Sequence, residues 1–316
     1  MITIRDFSIN HIEEAQRIAL TNFREERSTV TDLPEVEELP NLERFAENGL
    51  GAAAFGNNGM LGFLCCYKPW NNAFNTTAKG TFSPIHAHAA VLENRGMLYK
   101  RLYQAAAEKW VNEKITSHAV ALYAHDTEAI KAFFTYGFGL RCIDAIRPLI
   151  NLNNDQCEEG INIRELAKHD VAEIRELRKL LSDHLSESPC FMRKSPENYE
   201  EWIKRAEARD SRVFVARRKE KPVAYMEIKD GGENFAAEVT DMKNICCAYC
   251  LPEYRGKGIS QVLLDFIISE LKGEGYKRLG VDFESFNPNA YGFWLKHFTP
   301  YTYSVVRRID ECALGE

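Results

Sequence analysis

Arg255-Gly256-Lys257-Gly258-Ile259-Ser260 is the segment of this 316-residue chain whose residue types and spacing point most directly to chemistry. It follows an apolar run, Ile245 to Leu251, that Pro252 stops, and it precedes a helix beginning near Ser260. Two glycines let the backbone approach a ligand closely, and the helix behind them directs unpaired N–H groups and the positive end of its dipole at the loop. Arg255 and Lys257 add positive charge. The combination suits phosphate oxygens. It is not a P-loop, because Gly-x-x-x-x-Gly-Lys-Ser/Thr is absent. A dinucleotide fingerprint comes nearer, with Asp282 on the next strand about where a ribose-binding acid stands. However, Gln261 takes the place of the third glycine, and the loop lies late in its domain.

Other groups are weighed against plain structural roles. Alternation along Val281-Asp282-Phe283-Glu284 puts Asp282 and Glu284 on one face of a strand. Two acids there either pair with neighbouring Arg or Lys or handle protons. Cys247 and Cys250 are three apart on a strand and point to opposite faces, so they share neither a metal nor a disulfide. No second Cys-x-x-Cys or His-x-x-His supplies further ligands, and no metal is expected. His86 and His88 share a face, with His118 on the strand expected beside them: core histidines, or a metal or substrate site. Tyr291, Phe293, Trp294, Phe298, Tyr301 and Tyr303 read as core, with one or two lining an acceptor pocket. Arg217-Arg218-Lys219-Glu220-Lys221 reads as a solvated hairpin turn.

These residues must be positioned by a unit that occurs twice. Ile4-Arg5-Asp6-Phe7, followed by Ile12, Ala15 and Ile18, recurs as Ile163-Arg164-Glu165-Leu166, followed by Val171, Ile174 and Leu177, at an offset of 159. The hairpin Phe55 to Phe63 recurs as Val215 to Tyr225, and Ala129 and Phe133 recur as Ala290 and Trp294 at an offset of 161. Each copy reads strand, helices, a run of strands, two strand–helix pairs and a terminal strand pair. That is an α+β fold, two tandem domains each with a mixed central sheet flanked by helices. The expected organisation is residues 1–152, a polar linker 153–160, and residues 161–316.

With these residues in place the chain resembles the GNAT superfamily of N-acetyltransferases. The family's cofactor loop, Arg/Gln-x-x-Gly-x-Gly/Ala, is met by Arg255 to Ser260, with Ser260 in place of the last small residue. Its downstream Asn-x-x-Ala-x-x-Phe-Tyr is met by Asn287, Ala290 and Phe293 and broken by Trp294. The resemblance implies acetyl-CoA as cosubstrate, held by Cys250, Leu251, Arg255, Gly256, Lys257, Gly258, Ile259, Ser260, Asn287, Ala290 and Phe293. The pantetheine arm would lie along Ile245–Leu251, and a primary amine would attack the thioester directly. In that setting Glu284 is the expected base, with Asp282 orienting the ammonium. Trp294 stands where the family's acidic Tyr would be, so Tyr291 or Tyr303 is expected to substitute, Tyr301 is a further possibility, or the thiolate leaves unassisted. A binding-only acyl-CoA sensor or scaffold is the alternative.

In the first copy Asn94, Arg95, Met97 and Tyr99 fall opposite Arg255, Gly256, Gly258 and Ser260, so both glycines are gone. That copy is expected to be a degenerate GNAT-like domain with a structural or substrate-framing role. Hydrophobic residues at 45%, charged residues at 27% and no long apolar run fit a globular chain with no membrane span. A net charge of −6 argues against nucleic acid. Nine cysteines without small-scaffold spacing, and an opening Met1-Ile-Thr-Ile that reads as a strand instead of a leader, give a cytoplasmic expectation.

Overall fold

Strand after strand in this chain carries the period-2 or apolar pattern of a covered sheet, and each helix carries one apolar stripe. The computed structural model describes residues 1–152 and 158–315; of the linker 153–160, residues 153–157 lie outside the described residues. Contacts divide the chain into two units, and neither is a single stretch of sequence. The first comprises Met1–Asp144, Asn234–Ala236 and Pro300–Glu316; the second comprises Ala145–Glu233 and Ala237–Thr299. The α+β fold class is borne out.

The first half contains β1 (Thr3–Asp6), α1 (Ile12–Thr29), α2 (Glu43–Glu47), β2 (Ala52–Gly56), β3 (Gly59–Leu64), β4 (Gly80–Ser83), β5 (His88–Ala90), α3 (Arg95–Asn112), β6 (Ser117–Tyr123), α4 (Thr127–Thr135) and β7 (Gly139–Pro148). The second contains β8 (Ile161–Glu165), α5 (Arg175–Ser186), α6 (Pro196–Ala208), β9 (Arg212–Arg218), β10 (Lys221–Lys229), β11 (Met242–Cys250), α7 (Ile259–Gly273), β12 (Arg278–Glu284), α8 (Pro288–His297) and β13 (Thr299–Arg308). Elements of the two halves correspond in order at a spacing of about 160 positions. The terminal strand pair expected in each copy is one long strand instead, β7 and β13. In the first unit β13 runs antiparallel to β6, from Thr302 opposite Tyr123 to Arg308 opposite Ser117.

One correspondence is broken by chemistry. β11 is continuous, whereas its counterpart in the first half is split into β4 and β5 around Pro84-Ile85-His86-Ala87. Proline has no N–H for a ladder, so the strand cannot continue through it. β4 then pairs with β6, and β5 pairs with β3.

The second unit's strands follow the order β12-β11-β10-β9-β8. Alternation sorts β10 cleanly. Met226 lies opposite Phe214, whose ring packs on Phe266 of α7, so Ala224, Met226 and Ile228 face α7. Tyr225 and Glu227 face α5, where Arg178 Nη2 meets Glu227 Oε2 at 3.0 Å. α7 buries Leu263, Leu264, Ile267, Ile268 and Leu271, and its αL start at Gly258 and turn at Gly275 bound it. Each fully buried side chain of this size contributes about 1.5–3 kcal/mol.

Arg178 and Glu227 are both fully buried. Glu227 Oε1 also accepts from Ser211 Oγ at 2.7 Å and Arg209 Nη1 at 3.3 Å. Removing Arg178 would leave the buried Glu227 only the part-exposed Arg209 as a cation, and losing one partner of a buried pair costs about 3–5 kcal/mol. Arg178→Leu is therefore expected to lower unfolding free energy by about that amount in urea titrations, and Arg178→Lys by less. A loss under about 1 kcal/mol would show the pair to be solvated.

Candidate active site

β11 is held differently on its two sides. Its antiparallel pairing with β10 continues to Ala224 opposite Cys250. Its parallel pairing with β12 runs from Met242 opposite Arg278 only as far as Ile245 opposite Val281. Beyond Ile245 the two strands part. At the same point the β10–β11 register shifts between Glu227 and Ile228, making Cys246 the extra residue of a β-bulge. A bulge bends and twists its strand, which is what separates β11 from β12 here.

A cavity of about 370 Å³ opens beside this gap, and all of its lining belongs to the second unit. Its walls are Ala224–Met226 of β10, Ala248–Cys250 of β11, Leu181 and His184 of α5, the loop from Tyr254 into α7, and the inner side of α8. Gly256 and Gly258 have φ values of 75° and 79°, and Gly258 is the N-cap of α7. An L side chain in that region costs roughly 1–2 kcal/mol, so both positions suit glycine. The first four N–H groups of a helix have no partner within it, and those of α7 begin at this wall.

Side chains secure the loop from both ends. Arg255 Nε donates to Cys250 O at 3.0 Å, with the guanidinium 5.4 Å from the Tyr249 ring centre. Lys257 is turned to Glu158 Oε2 at 3.2 Å, so its charge is largely met within the protein. At the other wall Asn287 is the N-cap of α8, its Oδ1 accepting from Ala290 N at 3.4 Å. His184 Nε2 donates to the same oxygen at 3.3 Å.

Nine of the expected cofactor residues line the cavity: Cys250, Arg255, Gly256, Gly258, Ile259, Ser260, Asn287, Ala290 and Phe293. Leu251 and Lys257 are not in the lining. Leu251 is buried, and its N–H donates to Val223 O. The residues expected to handle protons lie outside the lining as well. Asp282 and Glu284 sit on β12 past Val281, its last residue paired with β11. Tyr291 is exposed on α8, and Tyr303 lies opposite Leu122 of β6 in the first unit.

Sequence reading did not single out several lining residues, among them His184, Tyr225, Tyr249, Lys296 and His297. None lies in a motif, and Tyr225 and Tyr249 read only as strand aromatics. Burial first, then Arg147 and Lys296, lowers the His297 pKa, so its imidazole is neutral at neutral pH.

The counterpart region of the first unit is built otherwise. α3 begins at Arg95, so the stretch opposite the glycine loop is the first turn of a helix. The Arg95 guanidinium is buried and bonded to Ala90 O, Glu25 and Asp126. Tyr99 is in the core, bonded to His88 Nδ1, and Met97 is exposed. His88 and His118 are core histidines: His118 bonds Tyr103 and Ile115 O, and burial lowers both pKa values to about 4.

Residues 175–298 match the model of the Acetyltransferase (GNAT) family. This part of the chain is a GNAT domain. No curated protein matches the sequence. Among solved structures, a GCN5-related N-acetyltransferase from Sphaerobacter thermophilus is similar over 97% of this chain and 95% of its own, at 14% identity and a TM-score of 0.56. A GCN5-related N-acetyltransferase from Kribbella flavida is similar over 94% and 97%, at 10% identity and a TM-score of 0.45. At 14% identity the likeness to the Sphaerobacter thermophilus structure is one of fold. The GNAT domain makes acyltransferase chemistry the general activity, with an acyl-CoA as the family's cosubstrate. Among the described residues, no helix is long and apolar enough to cross a membrane.

Proposed function

We propose that this protein is an N-acetyltransferase that moves an acetyl group from acetyl-CoA to a primary amine by direct attack. The observation that carries the reading is the pair of left-handed glycines at the start of α7, opening on a cavity beside the gap between β11 and β12. Pyrophosphate oxygens suit the N–H groups of Gly256 to Ser260. The pantetheine arm is taken to lie along Ala248–Cys250, with Asn287, Ala290 and Phe293 on its other side. The amine nitrogen attacks the thioester carbonyl, its lost proton passes to Glu284 directly or through water, and the CoA thiolate leaves. With Trp294 on α8 the thiolate takes its proton from solvent, which a thiol pKa of about 8.5 permits. Asp282 is assigned to orient the incoming ammonium.

In this reading residues 161–316 are the acyl-CoA-binding copy, and residues 1–152 are a degenerate GNAT copy with a structural or substrate-framing role. Arg95 with its acidic partners supports this, because Glu25 and Asp126 stand at the helix start where phosphates would need cations and bare N–H groups. In this reading the acceptor is a primary amine, there is no nucleic-acid or membrane partner, and the protein is cytoplasmic. Calorimetric titration tests the assignment. One acetyl-CoA per chain is expected, and zero or two sites of similar affinity would contradict it.

A further inference from the structure

Alternation on a strand sends neighbouring side chains to opposite faces, so Cys246 and Cys247 are expected to be kept apart by the sheet. The bulge undoes this. Cys247 lies opposite Glu227, Cys246 is the extra residue, and the two sulfurs come together with the Glu227 carboxylate. The ligand atoms of Glu227, Cys246 and Cys247 all lie within 4.8 Å of one another. Among the described residues this is the one group of three His, Cys, Asp or Glu side chains so arranged. What sits among them is the Arg209 guanidinium: Nη1 is 3.3 Å from Glu227 Oε1, 3.3 Å from Cys246 Sγ and 4.0 Å from Cys247 Sγ. A cation therefore already occupies the centre of the triad, and it is supplied by a side chain that reaches solvent.

We propose that Glu227, Cys246 and Cys247 form a binding site for a thiophilic divalent cation such as Zn²⁺, with Arg209 as the internal occupant that the ion displaces. Thiolate sulfur and carboxylate oxygen are both Zn²⁺ ligands, and three of them leave a fourth tetrahedral position for water. Binding replaces the guanidinium and releases the two thiol protons to solvent. The surrounding groups already hold the carboxylate in place: Ser211 Oγ donates to Oε1 and Arg178 Nη2 to Oε2. Those bonds would orient the ligand and balance its charge in the ion's absence. The site also adjoins the cavity. Cys247 is followed by Ala248, and Glu227 is preceded by Met226, both in the lining. An ion here would pin the bulge that parts β11 from β12.

Co²⁺ serves as the probe, because Zn²⁺ has no absorption and Co²⁺ bound to thiolates has an intense near-ultraviolet charge-transfer band. The full chain, kept reduced with a phosphine, is titrated with Co²⁺ and then with Zn²⁺. The expected result is one equivalent of thiolate-bound Co²⁺, displaced by Zn²⁺. The band should be lost in Cys246→Ser and in Cys247→Ser, and kept in Cys250→Ser and Cys312→Ser. Arg209→Ala removes the competing cation and should tighten Co²⁺ binding by about tenfold or more. Ser211→Ala should weaken it by about 10–100-fold. No charge-transfer band in the wild type, or a band that survives both Cys246→Ser and Cys247→Ser, overturns the site. Weaker Co²⁺ binding in Arg209→Ala would show that the guanidinium supports the triad and does not substitute for an ion.

Discussion

Gly258→Asp is expected to abolish acetyl-CoA binding. Gly258 caps α7 at φ 79°, where an L residue is strained and where the cavity wall presents helix N–H groups. The substitution adds a side chain at that wall and a negative charge where phosphate oxygens are to sit. A ligand at 100 times its Kd stabilises the native state by about 2.7 kcal/mol. A unit of this size gains about 2–4 °C per kcal/mol, so the wild type should melt several degrees higher with saturating acetyl-CoA. The variant should show no ligand-dependent shift. Gly275→Asp is the control, because it carries comparable left-handed strain (φ 91°) at the far end of α7, with nothing within 4 Å of an added Cβ. Its basal melting temperature should fall, yet its acetyl-CoA shift should persist. An undiminished shift in Gly258→Asp would overturn the placement of the pyrophosphate.

Glu284→Gln is expected to cut turnover by about 10²–10⁴ while leaving acetyl-CoA affinity intact. A lysine-like amine of pKa ~10.4 is deprotonated at pH 7 in only about one molecule in 2,500, a deficit of roughly 4.6 kcal/mol that a base must offset. Glu284 ends β12 beyond the last residue paired with β11, and two residues further on the chain is bonded to the loop after α5: Cys190 Sγ donates to Phe286 O at 3.8 Å. Burial and then the Glu284 charge push the Cys190 thiol up. Trp294→Phe should change turnover by less than about tenfold, since an indole gives up no useful proton. Near-full activity of Glu284→Gln from pH 6 to 9 with a good acceptor would place the base elsewhere, with His184 on the cavity wall the next candidate to substitute.

Local patterns made much of this legible. The glycine loop, the apolar stripe of α7 and the capping Asn287 are each decided by residues within a few positions, and each stands where the sequence put it. The repeat was legible because one spacing recurs along the chain. Three features were not. The bulge at Cys246 depends on the register against β10, and no local signal in Ile245-Cys246-Cys247-Ala248 reveals it. The pairing of β13 with β6 is a choice among strands of similar pattern, and it carries Tyr303 into the first unit. The end of the first copy's loop was visible as lost glycines, but not how it ended. The helix starts a turn earlier, and the Arg95 guanidinium is held by Glu25 from far back in the sequence. Long-range partners decide these outcomes.

The GNAT domain is proposed to transfer acetyl groups to amines and not to be a binding module for acyl-CoA. Free thiol released from acetyl-CoA, followed in the presence and absence of a panel of amino acids, polyamines, aminoglycosides, peptides and lysine-bearing proteins, tests it most directly. Release that depends on an acceptor, is lost in Gly258→Asp and falls steeply in Glu284→Gln is the expected result. Tight acetyl-CoA binding with no acceptor-dependent release across the panel would contradict it and leave the domain a sensor.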